Sequence, residues 1–154
     1  MDRDRKSTSL KSLQGRIWEQ GYKRGELRGR VFDDVPRALE RWQKQKKDIC
    51  IFSSGSVLAQ KLLFAHTTAG DLTPYISHYF DTSTGGKTDT QTFQAIATIL
   101  QRSPGEIAFL SDVTTELDAA KSARMQTLLC LRPGNRPQPA STHLMIRTFD
   151  EVLP

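Results

Sequence analysis

Three short stretches carry residue types suited to handling phosphate. In FSSGSVLAQKL, residues 52–62, Ser53 and Ser54 offer hydroxyl donors, and the N–H groups of Gly55 and Ser56 stand where a helix begins. Such N–H groups have no partner within the helix and attract anions. TGGKT, residues 84–88, sets Lys87 among glycines as a partner for phosphate or carboxylate. FLSDVTTE, residues 109–116, ends an apolar run in Asp112, with Glu116 four residues on. A carboxylate there suits magnesium, which takes hard oxygen donors and usually only one or two from protein.

Each stretch also has a plain structural reading. One serine of SSGS can simply cap the helix, Lys87 can be a solvated surface cation, and Asp112 can be a helix cap. Glu116 reads as a helix-surface acid or an orienting group rather than a direct ligand. TGGKT is not the phosphate-cradling loop G-x-x-x-x-G-K-[ST], because Asp81 occupies the position of its first glycine. No nucleophilic serine elbow G-x-S-x-G is present. His66, His78 and His143 lack metal-ligand spacing and are expected to play no chemical part.

The elements that must position these residues follow from periodicity. Leu10, Leu13, Ile17 and Trp18 predict a helix from 7 to about 28, weakened by glycines at 21 and 25, with a third at 29. Asp33 or Asp34 can cap a second helix that tolerates Pro36 in its first turn and turns Leu39 and Trp42 inward. Strands are then expected at 49–52, 77–80, 107–110 and 127–131. Helices are expected from Ser56 to about His66 (apolar stripe Leu58, Leu62, Leu63), over 90–101 (Phe93, Ile96, Ala97, Leu100) and over 114–123. RPGNRPQP breaks the chain before short elements near 144–146 and 149–153. Strands alternating with helices predict an α/β fold, a parallel Rossmann-like sheet flanked by helices, with ligands at the carboxyl ends of the strands. Ser53–Ser54, Lys87 and Asp112 follow three successive strands of that pattern.

The 154 residues suffice for one domain with a substantial core, and 37 % hydrophobic with 25 % charged residues is ordinary globular composition. No apolar run approaches a membrane span, and MDRDRKSTSL lacks the apolar core of a secretory signal. Cys50 and Cys130 lie in apolar runs and read as buried small hydrophobes, which fits a reducing, cytoplasmic setting. The net charge of +5 comes largely from early basic runs interrupted by acids, a solvated helix surface rather than a nucleic-acid footprint. No membrane or nucleic-acid partner is expected; a small phosphorylated metabolite is.

Hydroxyls after one strand, a lysine after the next and an acid after the third resemble the haloacid dehalogenase-like phosphatases. More narrowly, DRKSTSLKSLQGRIW, IFSSGSVLAQKLLF, HYFDTSTGGK, FLSDVT and LRPGN are similar to the C-terminal portion of the enolase-phosphatases (acireductone synthases) of methionine salvage. The resemblance implies a haloacid dehalogenase-like core over 31–154, preceded by the end of a helical cap and a linker over 1–30. It implies that Ser53 and Ser54 bind the substrate phosphate or its neighbouring oxygens. Lys87 would neutralise phosphate charge in support of catalysis, and Asp112 would help hold Mg²⁺. The family's substrate is 2,3-diketo-5-methylthiopentyl-1-phosphate, which is enolised and dephosphorylated to acireductone.

The family's nucleophile motif D-x-[DE]-G-T is not in this sequence, and the nearest look-alike, VFDDVP, has Val35 in place of the second acid. The strand bearing that motif lies centrally in the superfamily, between the strands that end in Ser53 and Asp112. The resemblance therefore implies a core lacking its first strand, and with it a missing N-terminal segment. A fragment or mis-started gene model, a piece completed from elsewhere, and a degenerate relative are the three expectations. A non-catalytic phosphate-binding or interaction module is the alternative function.

Overall fold

Apolar periodicity and local capping produce five helices and five short strands in the computed structural model, which describes residues 8–154. The helices are α1 (Thr8–Lys23), α2 (Asp34–Lys44), α3 (Val57–Ala65), α4 (Thr90–Leu100) and α5 (Thr114–Ser122). The strands are β1 (Cys50–Phe52), β2 (His78–Phe80), β3 (Ala108–Ser111), β4 (Gln126–Cys130) and β5 (Leu144–Ile146). Every strand and helix expected from 31 onward is present, within a few residues of its expected bounds. Position 7, the expected start of the first helix, lies outside the described residues. That helix ends at Lys23 rather than near 28, and Gly25 follows with φ +73°, a left-handed conformation glycine adopts without strain.

The chain forms two compact units that meet in sequence between Tyr79 and Phe80. In the first, Leu39, Ile49, Leu72 and Ile76 make a buried cluster, with Trp42, Phe64 and Tyr75 packed against it. Pro36 sits in the first turn of α2, where an N–H would have no helical partner anyway. In the second, Phe93, Ile96, Leu117, Ala120, Leu129 and Ile146 are buried. Helix α5 packs on β3 and β4 and against α4.

Strands β3, β4 and β5 form a parallel ladder in that order, with Phe109 opposite Thr127 and Leu128 opposite Leu144. Strands β1 and β2 form a separate two-stranded ladder. The sheet is thus α/β and helix-flanked as expected, but among the described residues no ladder joins β1 to β3. A strand that hydrogen-bonds on one side only leaves a row of backbone groups on the other.

The apolar residues that mark two of the helices are not all covered. On α1, Leu13 and Ile17 are 54 % and 58 % exposed, and Leu10 and Trp18 are exposed as well. On α3, Leu58 is exposed and Gln60, not a leucine, is the buried residue. Gln60 is accommodated because its amide donates to the Gly55 carbonyl at 2.9 Å, which satisfies part of a polar group in the interior. Periodicity identified the helices but not which of their faces is covered.

Both cysteines are free, Cys50 half-buried and Cys130 buried. Burial, aided by the Asp48 charge, pushes the Cys50 thiol up to about 11. At pH 8 about one Cys50 in a thousand would then be the reactive thiolate. Iodoacetamide at pH 8 should therefore modify Cys50 far more slowly in the folded chain than in urea. Mass spectrometry reads the difference, and equal rates would contradict this burial.

Candidate functional site

Ser53 follows β1 directly, and its hydroxyl accepts the Gly55 N–H at 3.2 Å. One of the two N–H groups expected to await an anion is therefore already engaged in the turn. Ser56 is the N-cap of α3, its Oγ accepting the Ala59 N–H at 3.1 Å. Capping thus falls to Ser56, and Ser53 is free of that duty. Ser53 is half-buried and Ser54 exposed. All three belong to the first unit.

The second unit gathers a different set. The turn after β2 is folded by Asp81, whose carboxylate accepts the Ser83 N–H at 2.9 Å and the Ser83 hydroxyl. The residue that rules out a nucleotide loop is thus the one that shapes this turn. Gly85 has φ +147°, and a Cβ there would collide with the side chain of buried Thr92 on α4. The glycine lets the loop lie close on α4 and so sets the backbone two residues before Lys87.

Lys87 is not a solvated cation. Its Nζ stands 3.0 Å from Glu116 Oε1, with the two side chains 24 % and 12 % exposed. The other Glu116 oxygen accepts the Ser111 hydroxyl at 2.8 Å, and Ser111 Oγ accepts the Val113 N–H at 3.1 Å. This small network ties the loop after β2 to the turn between β3 and α5. With both carboxylate oxygens engaged and its side chain 12 % exposed, Glu116 is not a solvated helix-surface acid. Ser111 belongs to the same network, although sequence reasoning gave it no role. Its signal was weak: a hydroxyl at a strand end, five residues before an acid.

Asp112 lies inside this turn, exposed. It is not the cap of α5: the N-cap is Val113, with no side-chain cap of its own. The Thr114 N–H is instead taken at 3.0 Å by Gln138 Oε1, from the loop after β4. Among the described residues the Asp112 carboxylate has no hydrogen-bond or ion-pair partner. Nor do those residues hold any group of three or more His, Cys, Asp or Glu arranged to bind a metal. A hard, water-accessible carboxylate suits Mg²⁺, which fills its other positions with water and phosphate oxygens.

Two of the histidines, His143 and His66, make structural contacts. His143 is buried, its Nε2 2.7 Å from Asp118 Oδ1 and its Nδ1 2.7 Å from Thr127 Oγ1. His66 stacks on Tyr22 with ring centroids 5.3 Å apart. No helix among the described residues is long and apolar enough to cross a membrane.

Known proteins share this sequence and fold. The chain is 52 % identical to the enolase-phosphatase E1 of Synechococcus elongatus over 152 residues, which is 99 % of this chain and 64 % of that protein. It is 49 % identical over 154 residues to the enolase-phosphatase E1 of Sorangium cellulosum, covering 66 % of it. The chain thus spans just under two thirds of the length of these curated relatives. The crystal structure of the UTR4 protein of Saccharomyces cerevisiae superposes with a TM-score of 0.88 at 38 % identity, over 97 % of this chain and 70 % of that one. Residues 4–124 match the model of the haloacid dehalogenase-like hydrolases. Helix-flanked parallel strands and a match over most of its length place the chain in one family: it belongs to the haloacid dehalogenase-like hydrolases.

Proposed function

We propose that these residues form most of the catalytic core of an enolase-phosphatase, which enolises and dephosphorylates 2,3-diketo-5-methylthiopentyl-1-phosphate to acireductone in methionine salvage. The observation that carries this reading is identity of about one half to enolase-phosphatases along the whole chain. Ser53 and Ser54 bind the substrate phosphate or its neighbouring oxygens. Lys87, steered by Glu116, supplies positive charge to the phosphoryl group. Asp112 offers its carboxylate to Mg²⁺. When bound, Mg²⁺ supplies Lewis-acid stabilisation of developing negative charge on the ketone and phosphoryl oxygens.

No residue of this sequence stands in a D-x-[DE]-G-T motif, so nothing here supplies the aspartyl nucleophile. The 154 residues by themselves should not turn over the substrate with Mg²⁺. Joined behind the N-terminal third of the Synechococcus elongatus relative, they should turn it over, and Asp112→Asn should abolish that. A chimera that folds and binds phosphate without turnover would overturn the reading in favour of a non-catalytic phosphate-binding module. Hydrolysis by the unjoined chain, lost on Asp112→Asn, would overturn the assignment of the nucleophile to residues outside it.

A further inference from the structure

The loop from Arg132 to His143, RPGNRPQPASTH, is expected from its prolines and glycine to be a simple breaker. It instead lies along α5 and touches it in three places. Gln138 Oε1 accepts the Thr114 N–H at 3.0 Å and the Thr114 hydroxyl at 3.3 Å. His143 Nε2 meets Asp118 Oδ1 at 2.7 Å, and Lys121 Nζ donates to Thr142 Oγ1 at 3.3 Å. Thr114, Asp118 and Lys121 stand at i, i+4 and i+7, which is one face of a helix. At the start of the loop, Asn135 donates to the Cys130 carbonyl at 3.1 Å, and the Arg132 guanidinium sits 4.8 Å from the centre of the Phe149 ring. Three prolines stiffen the path between these anchors. The segment is a strap rather than a slack connection.

The strap carries the cap that α5 lacks. The N-cap Val113 has no side-chain oxygen to offer, and Thr114 is 7 % exposed, so water is a poor substitute partner for its N–H. Gln138 fills that role from 24 residues away in sequence. Asp112 lies between two pins of one turn: Ser111 Oγ, holding the Val113 N–H at 3.1 Å, and Gln138 Oε1, holding the Thr114 N–H.

We propose that Gln138 is a positioning residue for Asp112: by capping α5 from the strap, it fixes the turn that presents the Asp112 carboxylate. The meaning of this for metal rests on the reading of Asp112 as an Mg²⁺-holding group; the capping itself does not. The protein's own strap therefore sets how well its carboxylate is presented.

Amide hydrogen exchange and Mn²⁺-induced relaxation, both read by NMR on the ¹⁵N-labelled 154-residue chain, test the two parts. Gln138→Ala and the near-isosteric Gln138→Met should speed exchange at Thr114 by about ten-fold or more, while β4 and β5 signals stay put. Gln138→Glu keeps an acceptor and should restore slow exchange. Mn²⁺ should broaden the 111–115 amides in the wild type. Its affinity should fall by about ten-fold in Gln138→Ala, the lower end of what loss of a ligand-orienting group costs. Unchanged exchange at Thr114 in both acceptor-less variants would overturn the capping. Faster exchange with undiminished Mn²⁺ affinity would overturn the positioning of Asp112. If Mn²⁺ leaves the wild type and Asp112→Asn equally unaffected, the metal reading of Asp112 fails, and exchange alone then decides whether Gln138 holds the turn.

Discussion

Phe93→Ala is expected to destabilise the second unit by about 3–5 kcal/mol, the cost of replacing a buried phenylalanine by alanine. Phe93 is 1 % exposed and, with Leu117, is one of the two largest fully enclosed side chains among the described residues. Its ring meets that of Phe109 edge-on at 4.8 Å, joining α4 to β3. The substitution therefore removes both the buried area and an aromatic contact worth about 0.5–1.5 kcal/mol beyond area alone. Single domains are stable by only about 5–15 kcal/mol, so the loss is a large share of the total. Trp18, Trp42, Tyr22, Tyr75 and Tyr79 all precede Phe80, so intrinsic fluorescence reports the first unit only. Urea unfolding followed by far-UV circular dichroism should show the lowered midpoint. A midpoint within error of the wild type would mean that Phe93 does not hold this core.

Glu116→Ala has the second largest expected effect. It removes the carboxylate 3.0 Å from the Lys87 ammonium, which is 24 % exposed, and takes the Glu116 acceptor from the Ser111 hydroxyl. Breaking one side of a fully buried pair costs about 3–5 kcal/mol, and the partial exposure here screens the charges. About 1–3 kcal/mol is expected, with Glu116→Gln losing less because an oxygen for Ser111 remains. The pair should also be non-additive: Lys87→Met with Glu116→Ala should cost less than the two singles summed. Additive single and double variants would show that the contact contributes nothing. The same variants separate stability from binding. Lys87→Met should weaken salt-sensitive phosphate binding, read by thermal shift with inorganic phosphate.

Much of the arrangement was legible in the chain. Ile49–Phe52 and Ile107–Leu110 read as strands because they are short apolar runs bounded by polar turns, and β1 and β3 lie there, although the expected burial on both faces is not reached in either. Helix α4 was legible because Phe93, Ile96 and Ala97 repeat at the helical period and are all buried. Asp112 was singled out because an acid directly after an apolar strand is carried to the sheet's edge, and it is exposed there, although β3 itself is only partly buried. These are local consequences of side-chain type and period, which act within a few residues.

The exposure of Leu13, Ile17 and Leu58 was not legible, because a period tells which residues share a face and not whether anything covers it. Nor was the use of the serines: Ser53, Ser54 and Ser56 are chemically alike, and only backbone geometry assigned the cap to Ser56 and the Gly55 N–H to Ser53.

By itself, then, the order of residues determined the alternation of strands and helices, the places of Ser53, Lys87 and Asp112 after three strands, and the absence of the D-x-[DE]-G-T motif. Only the tertiary structure decided that the ladders are separate, that Lys87 is held by Glu116, and that α5 is capped by Gln138 rather than by Asp112. The physical reason is range. Periodicity and turn chemistry act between near neighbours. The Lys87–Glu116 and Gln138–Thr114 contacts instead join residues more than twenty positions apart, and they form only once packing has excluded the alternatives.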